Sequence, residues 1–251
     1  MRKLSDKDEL DESAAFSADE DQDLVVIQMR SLIYAVCHAT KEMHNIIQRV
    51  RLDDDSLHSL SRLIRSSTLL DENMKTWEEQ TYKTHQYHHV NAAQLWPPES
   101  PLAVGAPTTI HVYSSVSVAS MWNLYRTTRL YLLKSISRSS SRLAHEQGQD
   151  AYSPGHKESE ATLQSQMQRL SNDVCASIPY MLGEVDEEKH VQQNRHNKAA
   201  GGMFLLWPLG SLLPLGVLPP EQVAWVGERL DYIRNGLGIQ HWVRSVPTAQ
   251  T

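Results

Sequence analysis

The chain has 251 residues, 40 % of them hydrophobic and 22 % charged, which is enough length and apolar content for one sizeable packed domain. Its net charge of −6 lies wholly in residues 1–23, where nine acidic groups face three basic ones; the other 228 residues carry 21 of each. A formally neutral body lacks the basic surplus that phosphate neutralisation needs, and Cys37 and Cys175 form no CxxC pair, so direct nucleic-acid binding and a zinc module or disulfide framework are both disfavoured.

Residues 1–23 open Met-Arg-Lys and continue polar and acidic. No apolar stretch of the signal-peptide kind is expected there, and the segment is predicted as an acidic disordered tail. From Val25 an apolar seam begins: Val25, Met29, Leu32, Val36, Ala39, Met43, Ile46 and Val50 step alternately by four and three residues. That spacing predicts a long bundle helix or a coiled coil, whose seam packs internally or serves self-association. Asp53, Asp54, Asp55 and Ser56 supply N-cap chemistry for a second helix, along which Leu60, Leu63, Ser67, Leu70, Met74 and Trp77 recur at the same period. Residues 24–95 therefore read as an N-terminal helical pair.

Residues 96–113 read as a Pro-rich connector, with four prolines and a glycine between Trp96 and Thr109. The β-branched run Ile110–Ala119 has the composition of a short strand but shows no partner in the sequence, and an isolated hairpin is marginal. Residues 114–251 read as the C-terminal helical part of the same domain. Trp122, Tyr125, Arg129, Leu132, Leu133 and Ile136 mark one helix; the Ser-rich segment after it and the polar, Gly-containing stretch over 147–156 read as a surface loop. Leu163, Met167, Leu170, Val174 and Ile178 mark the next, which Pro179 and Gly183 close. Residues 184–198 are charged and predicted as exposed. Two more helices are expected over 201–213 and 220–236, the latter with Val223, Val226, Leu230 and Ile233 facing the core. The fold class expected is all-α, an irregular multi-helix bundle.

Motifs for chemistry are few. The apolar run Met203–Leu218 has 16 positions broken by Pro208, Gly210, Pro214 and Gly216, too short to span a bilayer, so no membrane anchor is expected. His85, His88 and His89, placed on a helix end, have no carboxylate or cysteine beside them to complete a ligand set. No GxSxG elbow, HExxH pair or phosphate loop is present, and Cys175 falls within an apolar stripe. Ser135–Arg142 alternates hydroxyls with basic residues and is a candidate phosphorylation segment. The expectation is a protein with no catalytic, metal, cofactor-binding or DNA-binding residues, and not an enzyme.

At Trp122 a resemblance begins. Trp122-Asn123-Leu124-Tyr125-Arg126, Asp173-Val174-Cys175-Ala176-Ser177-Ile178-Pro179-Tyr180, Gly201-Gly202 with Leu205-Leu206-Trp207-Pro208-Leu209, and Trp225-Val226 with Arg229-Leu230-Asp231-Tyr232-Ile233 resemble, in order, four segments of the fungal-specific transcription factors. The resemblance implies an α-helical regulatory region of the kind found downstream of a six-cysteine, two-zinc DNA-binding cluster, which two cysteines cannot build. It further implies a nuclear location, although no basic import signal is evident and the cytoplasm stays open. Implied partners are proteins, a full-length zinc-cluster factor or a second copy, within control of a secondary-metabolite gene cluster. The alternative is a small-molecule-binding or accessory protein of such a pathway, with Trp122, Trp207, Trp225 and Trp242 lining a pocket or packing as core.

Overall fold

The computed structural model describes residues 6–94, 96, 104–148, 154–185 and 195–239. Six helices and one two-stranded sheet follow in order among them. They are α1 (Asp6–Ile47), α2 (Asp54–Thr84), β1 (Tyr87–Asn91), β2 (Thr109–Tyr113), α3 (Val116–Glu146), α4 (Pro154–Met181), α5 (Arg195–Leu215) and α6 (Pro220–Asp231), the last running into a π-helical turn over Tyr232–Gly236. The fold is all-α, as the periodicity predicts. The acidic segment set apart as a tail has helical backbone from Asp6 and is continuous with α1.

α1 and α2 form the expected antiparallel pair. Asp53 caps α2, its carboxylate accepting from the Ser56 amide at 2.9 Å, which satisfies one of the helix's orphan donors. Met43, Ile46, Leu52 and Leu60 make a small apolar cluster beneath the turn. Of the predicted seam, Met29, Val36, Ala39, Met43 and Ile46 are buried against α2 and α3. The seam is thus covered within the chain, and the reading of it as a free self-association surface gives way to the internal one. Val50 lies past the end of α1 and is 93 % exposed.

α3 is the axis of the molecule, packed against α1, α2, α4 and α5. Ser115 caps it, accepting from the Val118 amide at 3.2 Å, so Val116–Ala119 is helix where a strand composition was noted. The strand is shorter and does have a partner: β2 pairs antiparallel with β1, Tyr87 opposite Tyr113 and His89 opposite His111. The predicted connector is therefore the link of a hairpin, and His88 and His89 are strand residues. Helical periodicity also continues through the Ser-rich segment, which is the last part of α3 rather than a loop. α4 buries Met167, Leu170, Val174 and Ile178 as expected. α6 buries Val226 and Leu230 and the π-turn after it buries Ile233, but Val223 faces solvent. Among the described residues, no helix is long and apolar enough to cross a membrane.

The paired glycines of α5 explain themselves. A Cβ on Gly201 would overlap the Met181 carbonyl at the end of α4, so two helices meet there at backbone distance. Gly210, on the same helix, has open space where a Cβ would stand. Gly201→Ala is expected to destabilise the chain by more than about 2 kcal/mol. Gly210→Ala should instead stabilise it by about 0.5–1 kcal/mol through the glycine entropy it removes. Urea denaturation of the two variants reads both signs.

Candidate functional site

Strand alternation places Tyr87 and His89 of β1 beside His111 and Tyr113 of β2 on one face of the hairpin. The rings are close: Tyr87–His111 4.5 Å, His89–His111 4.8 Å and Tyr87–Tyr113 5.2 Å between centroids. α3 sends Arg126 into this group. Its guanidinium is buried and donates to Tyr113 Oη at 2.6 Å and Asn123 Oδ1 at 3.2 Å. It also lies 5.0 Å from the Tyr87 ring centre and 5.6 Å from that of Trp122, a cation–π environment. Asn123 donates onward to Ser177 of α4 at 2.8 Å, and Trp122 donates to the His85 carbonyl at 2.9 Å.

Burial works against the Arg126 charge, and Tyr113 and Asp173 outweigh it, so the guanidinium is held charged. Burial first, then Arg126 and His89, depress the His111 imidazole to about 2. His111 is therefore neutral. Its Nδ1, 3.4 Å from Arg126 Nη2, must accept, which leaves the proton on Nε2, 3.9 Å from Asp173 Oδ1. Burial pushes the Asp173 carboxyl upward, opposed by Arg126 and Arg169. Beside this group a cleft of about 620 Å³ opens, its walls including His89, Pro107, Arg169, Asp173 and Gln222.

One turn along α3, Arg129 builds a second buried network. Its guanidinium meets both carboxylate oxygens of Asp71, at 2.7 and 3.3 Å, and donates to Glu78 at 3.2 Å, Tyr125 Oη at 3.1 Å and Gln166 at 3.0 Å. α2, α3 and α4 are thereby held by a single side chain.

The residues singled out for chemistry disperse. His85 follows α2, while His88 and His89 sit in β1 and point to opposite faces. Among the described residues no group of three or more His, Cys, Asp or Glu is placed to hold a metal. Ser137 and Ser139 are buried, and Ser137 donates to Glu160 at 2.8 Å. Two of the candidate phosphorylation hydroxyls are thus closed to a kinase, whereas Ser141 is exposed. The three of the four tryptophans that are described do not share a pocket: Trp122 and Trp225 are core, and Trp207 is exposed and stacks on Tyr131; Trp242 lies outside the described residues. His111, Arg126 and Arg129 were not recognised from sequence as a buried polar centre, since a cation on a helix ordinarily marks a solvated face. For Arg126 the sequence signal was its place in the resembling Trp-Asn-Leu-Tyr-Arg segment, and for Arg129 its position on the apolar period of that helix; His111 carried none.

All four resembling segments lie on α3, α4, α5 and α6 with its π-turn, and consecutive members of that set pack together. Comparison with known proteins gives a relative in keeping with this. Over 147 residues the chain is 28 % identical to the transcription factor dbaG of Emericella nidulans, an alignment of 56 % of this chain and 32 % of that protein. The chain thus spans about a third of the length of the curated relative it matches. No family model matches, and no solved structure matches either.

Two outcomes follow from the buried groups. Cys37 is exposed and Cys175 buried, its thiol pushed up to about 12 by burial; a chromogenic disulfide reagent should titrate one thiol in the native protein and two in denaturant. For His111, the unfolded chain takes up a proton near pH 6.5 that the folded chain refuses until about 2. Its contribution to stability is complete above pH 6.5 and declines as pH falls below it, by about 1.4 kcal/mol per pH unit. His111→Gln should remove that slope, measured as the difference in unfolding free energy from the unaltered chain across the acid range.

Proposed function

We propose that this chain is a transcription-regulatory protein of a fungus that works in the nucleus through protein contacts and catalyses no reaction. The observation that carries the reading is the similarity to dbaG, joined by the way the resembling segments supply the frame of the fold. Trp122, Asn123 and Arg126 connect α3 to the end of α2, to α4 and to the hairpin, and Gly201 allows α5 against α4. Such residues hold a regulatory scaffold in shape, and DNA reading falls to a zinc-cluster partner, in control of a secondary-metabolite gene cluster. With the α1 seam occupied, the contact surface is the exposed apolar row Met203, Phe204 and Trp207 of α5 with Tyr131 of α3. Rows of this kind on a folded surface mark interaction sites. A small-molecule-binding role in the same pathway is the second reading, favoured by the cleft against α4.

Fused to a heterologous DNA-binding domain in a fungal host, the chain should shift reporter expression at least several-fold. Phe204→Ser combined with Trp207→Glu should return it to the level of the DNA-binding domain alone while leaving thermal unfolding unchanged, because both side chains are already exposed. Reporter output that never departs from that baseline, with transcripts unaltered after gene deletion, would overturn the proposal.

A further inference from the structure

Asp173 is a mostly buried carboxylate, 20 % exposed, with a donor opposite each oxygen: His111 Nε2 is 3.9 Å from Oδ1, and Arg169 Nη1 is 3.9 Å from Oδ2. Both separations exceed hydrogen-bond length, and among the described residues no hydrogen bond reaches this carboxylate. The carboxylate acceptor and the imidazole N–H donor thus face each other across a gap at the edge of the cleft, close enough for one bridging group to meet both. A hydroxyl oxygen beside the gap reaches both at about 2.8 Å, donating to the carboxylate and accepting from the imidazole. The cleft, at about 620 Å³, is of the size that holds organic ligands rather than lone waters. Ala106, Pro107 and Ala176 give it an apolar wall.

We propose that this cleft binds a small organic molecule presenting an uncharged hydroxyl from an apolar body, with the hydroxyl bridging Asp173 and His111. Charge decides against the alternatives. Arg126, Arg129 and Arg169 stand against Asp71, Glu78 and Asp173 around the site, three cations to three anions, so an ionised ligand would leave a net charge in a low-dielectric setting. A carboxylate ligand meets Asp173 head on, and an ammonium leaves the His111 N–H without an acceptor. An ether accepts from His111 but brings Asp173 no proton. The site is independent of the regulatory reading, since binding to the purified chain needs neither DNA nor a partner.

The test is calorimetric titration of the full chain near pH 7 with 2-naphthol, 2-methoxynaphthalene, 2-naphthoate and naphthalen-2-ylmethanamine. Saturable binding of 2-naphthol is expected, at least about tenfold tighter than the other three, the margin of one charge-assisted hydrogen bond. Asp173→Asn should weaken it roughly tenfold, since the amide accepts without charge. Gln168→Trp, which fills the cleft from the surface of α4, should abolish binding with unfolding unchanged, and it carries the test if the Asp173 variant does not fold. No saturable binding of 2-naphthol, equal binding of its methyl ether, preference for either ionised probe, or undiminished binding in the Gln168 variant would each overturn the proposal.

Discussion

Two guanidinium groups one helical turn apart on α3, Arg126 and Arg129, are sealed from solvent, and the core closes only where partners for both are in place. Leaving either charge unmatched costs about 3–5 kcal/mol, a large fraction of the stability of a domain of this size. Arg129 draws Asp71 and Glu78 of α2 and Gln166 of α4 to one point. Arg126 draws the hairpin through Tyr113 and, through Asn123 and Ser177, α4. Apolar stripes alone let neighbouring helices slide by a turn with little change in buried area. A buried cation with a directional fork of donors does not, so these two residues set the register of four elements.

The same arrangement shapes the surface above it. Arg126 occupies Nδ1 of His111 and so fixes which imidazole nitrogen carries the proton. That aims an N–H toward Asp173 at the edge of the cleft. A structural demand, neutralising a buried cation, thereby leaves a donor and an acceptor spaced for a third group. Regulation by contact and recognition of a small molecule are compatible in such a body, for the exposed aromatic row lies on α5 and α3 while the cleft lies between the hairpin, α4 and α6.

The long helices were legible because each repeats an apolar residue every three or four positions over many turns. The α1 seam, the α2 stripe and the α4 stripe are buried largely where the spacing puts them. The hairpin was not legible. β1 is Tyr-His-His-Val-Asn, a segment without clean alternation, and its partner follows a proline-rich link, so only the pairing itself makes it a strand. The Ser-rich end of α3 was misjudged for a related reason: serine has poor helix propensity, yet Ser137 and Ser139 are held in the helix by burial. The candidate site was invisible as chemistry, since His89, His111 and Asp173 come from three elements and match no spacing.

What the sequence by itself determined is the helical class, the approximate span of most helices, the placement of the net charge in the first 23 residues, and the likeness of four segments to fungal transcription factors. These depend on local period and composition, which a linear string carries. Tertiary structure alone decided that the α1 seam is covered from within, that a histidine-rich stretch is a strand, and that Arg126, His111 and Asp173 adjoin. Those facts depend on which distant residues meet, and a buried charge reveals its partner only once the chain has closed around it.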